Sequence, residues 1–100
     1  MKHLILVIHH NLKQDAADLF HSIEQVQGFT FSNVEGYSRH AEKGSTDRDK
    51  VEGYTPHVRV DIFLQDNDVA SVLEKIRESS IALNKHITYW ITSVAEYGRL

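Results

Sequence analysis

The fold is decided by the stretch HVRVDIFL, residues 57–64, in which aliphatic side chains alternate with polar or aromatic ones. A period of two predicts a β-strand with one buried face, because successive side chains of a strand point to opposite sides of the sheet. We expect the aliphatic set to face the core. Its members are Val58, Val60, Ile62 and Leu64.

Three further strands are predicted on either side of this one. Residues His3 to His9 form a continuous apolar run rich in β-branched residues, which indicates a strand covered on both faces. Phe29 to about Arg39 is the second strand, and its pattern slips near Asn33, which suggests a bulge. Ile87 to Val94 is the last strand.

Two helices complete the pattern. The first is predicted from apolar residues at helical spacing between Leu12 and Val26, with Asn11 as its cap and Gly28 in a left-handed terminal position. The second follows Asp66 or Asn67. Its apolar stripe comprises Val69, Val72, Leu73 and Ile76.

The order βαββαβ predicts an α+β, ferredoxin-like sandwich formed by residues 1–100 as a single domain. A four-stranded antiparallel sheet then has both helices on one face. We expect the other face to carry Ile5 and Val7, together with some of Tyr89, Trp90 and Ile91. An apolar face of that size favours association with copies of the same chain, as a dimer or trimer.

Composition narrows the range of functions. The formal net charge is −3, so no basic field attracts nucleic acid. Cysteine is absent, which excludes disulfides, thiolate metal sites and thiol nucleophiles and fits the cytoplasm. The apolar run near the N-terminus is far shorter than the roughly 20 residues of a membrane span, so direct membrane insertion is not expected. Residues 41–56 are almost entirely polar and predict a long flexible loop.

The segment VEGYSRH, residues 34–40, resembles the end of the second strand in the PII signal-transduction family, with matches at Gly36, Tyr37 and Arg39. The resemblance extends over the element order of nearly the whole chain. It implies a regulatory trimer whose long loop contacts a partner protein. PII proteins that bind ATP have a glycine-rich loop before the last strand, whereas residues 79–86 contain no glycine. ATP binding is therefore not expected.

The C-terminal region resembles a short, poorly characterised PII-like branch often encoded beside heavy-metal efflux pumps. The similar segments are YWI, residues 89–91, and EYGRL, residues 96–100. This resemblance implies a role in metal homeostasis and a transporter as the partner contacted by residues 41–56.

Seven histidines make a divalent transition metal a candidate ligand. His40 and His57 lie at the two ends of the polar segment, where antiparallel neighbours bring them together, with Glu42 or Glu52 as an oxygen ligand. The alternative is a pair of half-exposed strand-end histidines. His9 and His10, being adjacent, point to opposite faces unless the strand breaks between them.

Three arginines form a candidate anion-binding cluster at an intersubunit cleft: Arg39, Arg59 and Arg99. The alternative is a set of ion pairs with Glu35, Asp61 and Glu96. No nucleophile motif or phosphate loop is present, so we do not expect an enzyme. We expect a PII-like sensor. The alternatives left open are a histidine-based metal buffer and a small ferredoxin-like oxygenase or isomerase.

Overall fold

The computed structural model describes residues 1–37, 55–83 and 87–100. Its strands and helices follow the expected order. Their bounds are β1 (Lys2–His9), α1 (Lys13–Ser22), β2 (Phe29–Gly36), β3 (Thr55–Leu64), α2 (Val69–Arg77) and β4 (Thr88–Ser93). Short 3-10 turns occupy His10–Leu12, Asp66–Asp68 and Ser80–Ala82.

The four strands form one antiparallel sheet in the order β2-β3-β1-β4, which confirms the predicted ferredoxin-like α+β fold. The two inner strands are β1 and β3. Their register places His9 opposite His57, and β2 places Val34 opposite His57. The predicted bulge at Asn33 is wrong, since every residue from Phe29 to Gly36 has one partner on β3 in an unbroken register.

The core lies between the sheet and the helices. Alternate residues of β1 and β3 face it, as the period of two predicts. From the helical layer come Ala16 and Phe20 of α1, Val72 and Ile76 of α2, and the flanking Ile23 and Ile81. The strand members are Leu4, Leu6, Ile8, Val58, Val60, Ile62 and Leu64.

The predicted helix boundaries need correction. Helix α1 ends at Ser22, because Ile23 is extended and turns its side chain into the core. The apolar spacing thus continues past the helix without helical backbone, and Gly28 has no left-handed conformation. Neither helix has a side-chain cap. Asp66, expected as a cap, instead accepts a hydrogen bond from the Met1 ammonium at 2.7 Å.

The face of the sheet without helices carries one of the three large side chains of β4. Trp90 does lie there, opposite Ile5, but Tyr89 and Ile91 pair with Leu6 and Leu4 and so point to the helical side. Ile5 is buried within a single chain. We call this surface the open face. Among residues 1–37, 55–83 and 87–100, no helix is long and apolar enough to cross a membrane.

Candidate functional site: a histidine cluster at the end of the sheet

Three imidazole rings meet where β1 ends. The strand stops at His9, and His10 begins a 3-10 turn, so the two adjacent rings come to the same side with centroids 4.6 Å apart. His57 is the partner of His9 across the sheet, and those two rings meet edge to face at 5.9 Å. We call these three residues the histidine cluster. The strand break that the sequence argument required is present.

Backbone groups orient all three rings. His57 Nδ1 lies 2.7 Å from the Thr55 carbonyl oxygen, and His10 Nδ1 lies 3.1 Å from that of Pro56. A carbonyl only accepts, so both nitrogens donate, and in the neutral rings the lone pair lies on Nε2. His9 differs, because its Nδ1 accepts the Asn11 backbone N–H at 3.2 Å.

The histidine cluster borders a concave cavity of about 730 Å³. Its walls include His10, Asn33, Glu35, Pro56 and His57. The Glu35 carboxylate accepts a hydrogen bond of 3.0 Å from the hydroxyl of Tyr37. That hydrogen bond raises the pKa of Tyr37, because it stabilises the protonated phenol beside a negative charge. Two histidines and Glu35 thus line the cavity, and imidazole nitrogens suit a divalent transition metal.

Only one of the two histidines predicted to bind a metal belongs to the described residues. His57 is buried, with 6% of its surface exposed, rather than half exposed at a strand end. His40 lies outside the described residues, as do Glu42 and Glu52. Within residues 1–37, 55–83 and 87–100, no group of three His, Asp or Glu side chains has the arrangement to hold a metal ion. A complete metal site would need a further ligand from elsewhere.

Of the three arginines predicted to bind an anion, Arg59 lies on the open face in an ion pair with Asp61. Its Nη2 lies 2.9 Å from Asp61 Oδ1, and its Nε lies 3.1 Å from the same oxygen. Arg99 is exposed in the C-terminal tail, and Arg39 lies outside the described residues. Arg59 thus has the ion-pair partner that the alternative interpretation named.

A second group on Asp61 was not predicted. His3 Nε2 donates to Asp61 Oδ1 at 2.7 Å, and its ring stacks on Phe63 with centroids 4.6 Å apart. Burial acts to raise the pKa of Asp61, but the hydrogen bonds from Arg59 and His3 outweigh it, so the pKa lies below its usual value. Arg59 in turn lies over the ring of Trp90, 5.8 Å from its centroid.

The register between β1 and β3 explains why the contact of His3 with Asp61 forms and why it was not predicted. His3 is the first residue of the run that predicted β1, and its contact with Asp61 depends on antiparallel pairing of His3 with Phe63, 60 positions along the chain. Antiparallel pairing of His9 with His57 is the register that brings His3 next to Asp61. Without that register, the sequence does not show which residues of the two strands lie opposite each other.

Comparison with known proteins places the chain in a family. A family model described as "Protein of unknown function (DUF3240)" matches residues 1–100. The chain belongs to the DUF3240 family. A crystal structure of a DUF3240 family protein from Shewanella baltica OS155 is similar to this DUF3240 protein, with a TM-score of 0.79 and 21% identity over 99% of this chain and 94% of that one. At that identity the likeness shows the fold alone. No curated protein matches the chain.

Proposed function

We propose that this DUF3240 protein is a PII-like regulatory protein of the cytoplasm that senses a divalent transition metal. In this proposal the chain forms a homo-oligomer, a trimer by the PII resemblance. Metal binding at the histidine cluster changes the state of residues 41–56, which then engage or release a partner such as a membrane transporter. The biological setting would be metal homeostasis.

The observation that carries the proposal is the contact of three imidazole rings beside a cavity that also contains Glu35. Imidazole nitrogens bind Zn, Cu, Ni and Co well. His10 and His57 direct Nδ1 to backbone carbonyls, so each would ligate through Nε2. We propose His40 as the further ligand, since it follows β2 closely in the sequence and Glu35 near the end of that strand lines the cavity.

The exposure of the fourth strand supports the proposal that copies of this chain associate. Strand β4 is an edge of the sheet, and all six of its residues are exposed. Three successive large side chains belong to it: Tyr89, Trp90 and Ile91, with 45%, 41% and 37% of their surfaces exposed. An exposed apolar edge strand favours pairing with another chain. We propose that the other chain is a second copy of this protein.

The anion cluster remains part of the proposal in a narrower form. Arg39, Arg59 and Arg99 would meet at the intersubunit cleft, where an anionic ligand would have to share Arg59 with Asp61. A guanidinium carries five N–H donors, so one carboxylate does not saturate it. In this proposal Trp90, which lies beneath Arg59 on the open face, would form an aromatic wall of the cleft.

Equilibrium dialysis with elemental analysis tests the metal proposal. We expect one of Cu, Zn, Ni or Co to bind stoichiometrically, and H10A and H40A each to weaken binding at least about ten-fold. H21A is the matched control, because His21 lies on α1 against Phe29, away from the cluster. If none of the four metals binds above the H10A/H40A double variant, the proposal is wrong.

A metal buffer without a partner would pass that test, so a second measurement separates it from a sensor. Trypsin cleaves after Lys43, Arg48 and Lys50 within the polar segment. A sensor changes the cleavage rate when metal binds, because ordering a segment removes it from protease attack. An unchanged rate with metal bound would favour the buffer, which the count of seven histidines also fits.

A further inference from the structure

A second cavity lies on the helical side of the sheet, away from the histidine cluster. It has a volume of about 350 Å³, within the usual range of about 300–1,000 Å³ for small-molecule sites. Helix α2, the 3-10 turn after it and the exposed edge strand β4 contribute residues to its walls, and Leu6 from the middle of β1 forms part of its floor. Its apolar lining consists of Leu6, Leu73, Ile76, Ala82 and Ile87.

Two polar groups line the same cavity. Arg77, the last residue of α2, donates from Nη2 to the hydroxyl of Tyr89 on β4 at 3.4 Å. An apolar interior with one cation and one hydroxyl is the arrangement that binds an apolar molecule with a single anionic end. A guanidinium matches the planar carboxylate best, since it donates two parallel hydrogen bonds.

We infer that this cavity binds a small apolar monocarboxylate, with its hydrocarbon part against Leu73 and Ile87 and its carboxylate on Arg77 and Tyr89. The competing carboxylate is Glu74, whose Oε2 lies 3.7 Å from Arg77 Nη1. Both side chains of that pair are more than half exposed, and exposed pairs are weak. A bound carboxylate, partly removed from water at the cavity, therefore competes with Glu74 for the positive charge of Arg77.

Nuclear magnetic resonance titration with octanoate tests this inference, with octan-1-ol as the uncharged probe of equal length. We expect saturable octanoate-induced shifts at Leu73, Ile87 and Tyr89. Octan-1-ol should bind at least about ten-fold more weakly, because it lacks the charge-assisted hydrogen bonds.

Three charge variants on one helix sharpen the test. R77Q should weaken octanoate binding about ten-fold, whereas E74Q should strengthen it by removing the competitor. K75Q is the matched control, since Lys75 donates to Gln25 at 3.0 Å and lies outside the cavity. The inference is overturned if octanoate causes no saturable shifts, if octan-1-ol binds equally well, if the shifts map to Trp90 and the open face, or if R77Q and K75Q behave alike.

Discussion

Gly36 lies directly against the imidazole of His57, so that a side chain at position 36 would occupy the space of that ring. The two residues are on neighbouring strands, with Gly36 opposite Thr55 and His57 opposite Val34. Close approach of this kind explains why glycine occupies this last position of β2. Packing against Gly36 also fixes the position of the His57 ring, which lines the cavity.

Substitution of Gly36 should therefore disturb both the fold and the cluster. We expect G36A to lower the free energy of unfolding by about 1 to 3 kcal/mol, the usual cost of overpacking, and to weaken metal binding. Urea denaturation and dialysis measure the two effects. G28A is the control, because no atom lies within 4 Å of a Cβ placed there. Equal stability of the two variants would contradict the close approach.

Asp61 should make stability depend on pH. Its pKa is below the usual value in the folded protein, so its stabilising effect is complete at neutral pH and is lost as pH falls through that lowered pKa. We expect D61N to lower the free energy of unfolding by about 1 to 2 kcal/mol at pH 7, and the difference from the parent protein to shrink at pH 3. E96Q, at an exposed tail position, is the control substitution. A constant difference at both pH values would refute the role of Asp61.

The phenol of Tyr37 should titrate above its ordinary range because its hydroxyl bonds to Glu35. In E35Q the amide carries no charge, so the pKa of Tyr37 should move down toward its usual value. Nuclear magnetic resonance titration of the Tyr37 ring measures this. If E35Q leaves the pKa of Tyr37 unchanged, the hydrogen bond is not present in solution.

Association through β4 should depend on Trp90. We expect W90K to shift the protein toward monomer in sedimentation equilibrium, since it places a charge on the apolar edge strand and beside Arg59. T88K, on the same strand and face, should act in the same direction without removing the aromatic ring. L83K is the control, because Leu83 is 78% exposed and lies outside β4. An oligomer unaffected by W90K and T88K would exclude β4 as the interface.

Several features of the histidine cluster were beyond sequence reasoning. The apolar run of β1 predicted a strand ending near His9, and the alternation of β3 placed His57 at its start. Their contact, however, depends on the register of two strands far apart in the chain, and on the turn at His10 that reverses the usual opposition of adjacent side chains. Neither is encoded in a local pattern.

The difference between local pattern and tertiary contact also explains the errors in the predicted helix boundary and in the predicted faces of the last strand. Apolar spacing reports which side chains are buried, not which backbone conformation buries them. Ile23 and Val26 pack on the core in positions that fit a helix, although the helix has already ended. On β4, a run of three large side chains does not reveal which alternate residues face the helices.

The chain's own pattern of apolar residues determined the strands, the helices and their order, because periods of two and 3.6 follow from backbone geometry alone. Element order then leaves few topologies, and the ferredoxin-like sheet is the observed one. Only the tertiary structure decided that His3 and Arg59 share Asp61, that three imidazoles meet, and that Arg77 and Tyr89 line one cavity. Such contacts join residues distant in sequence, and strand register and helix placement, which local propensity does not specify, bring them together.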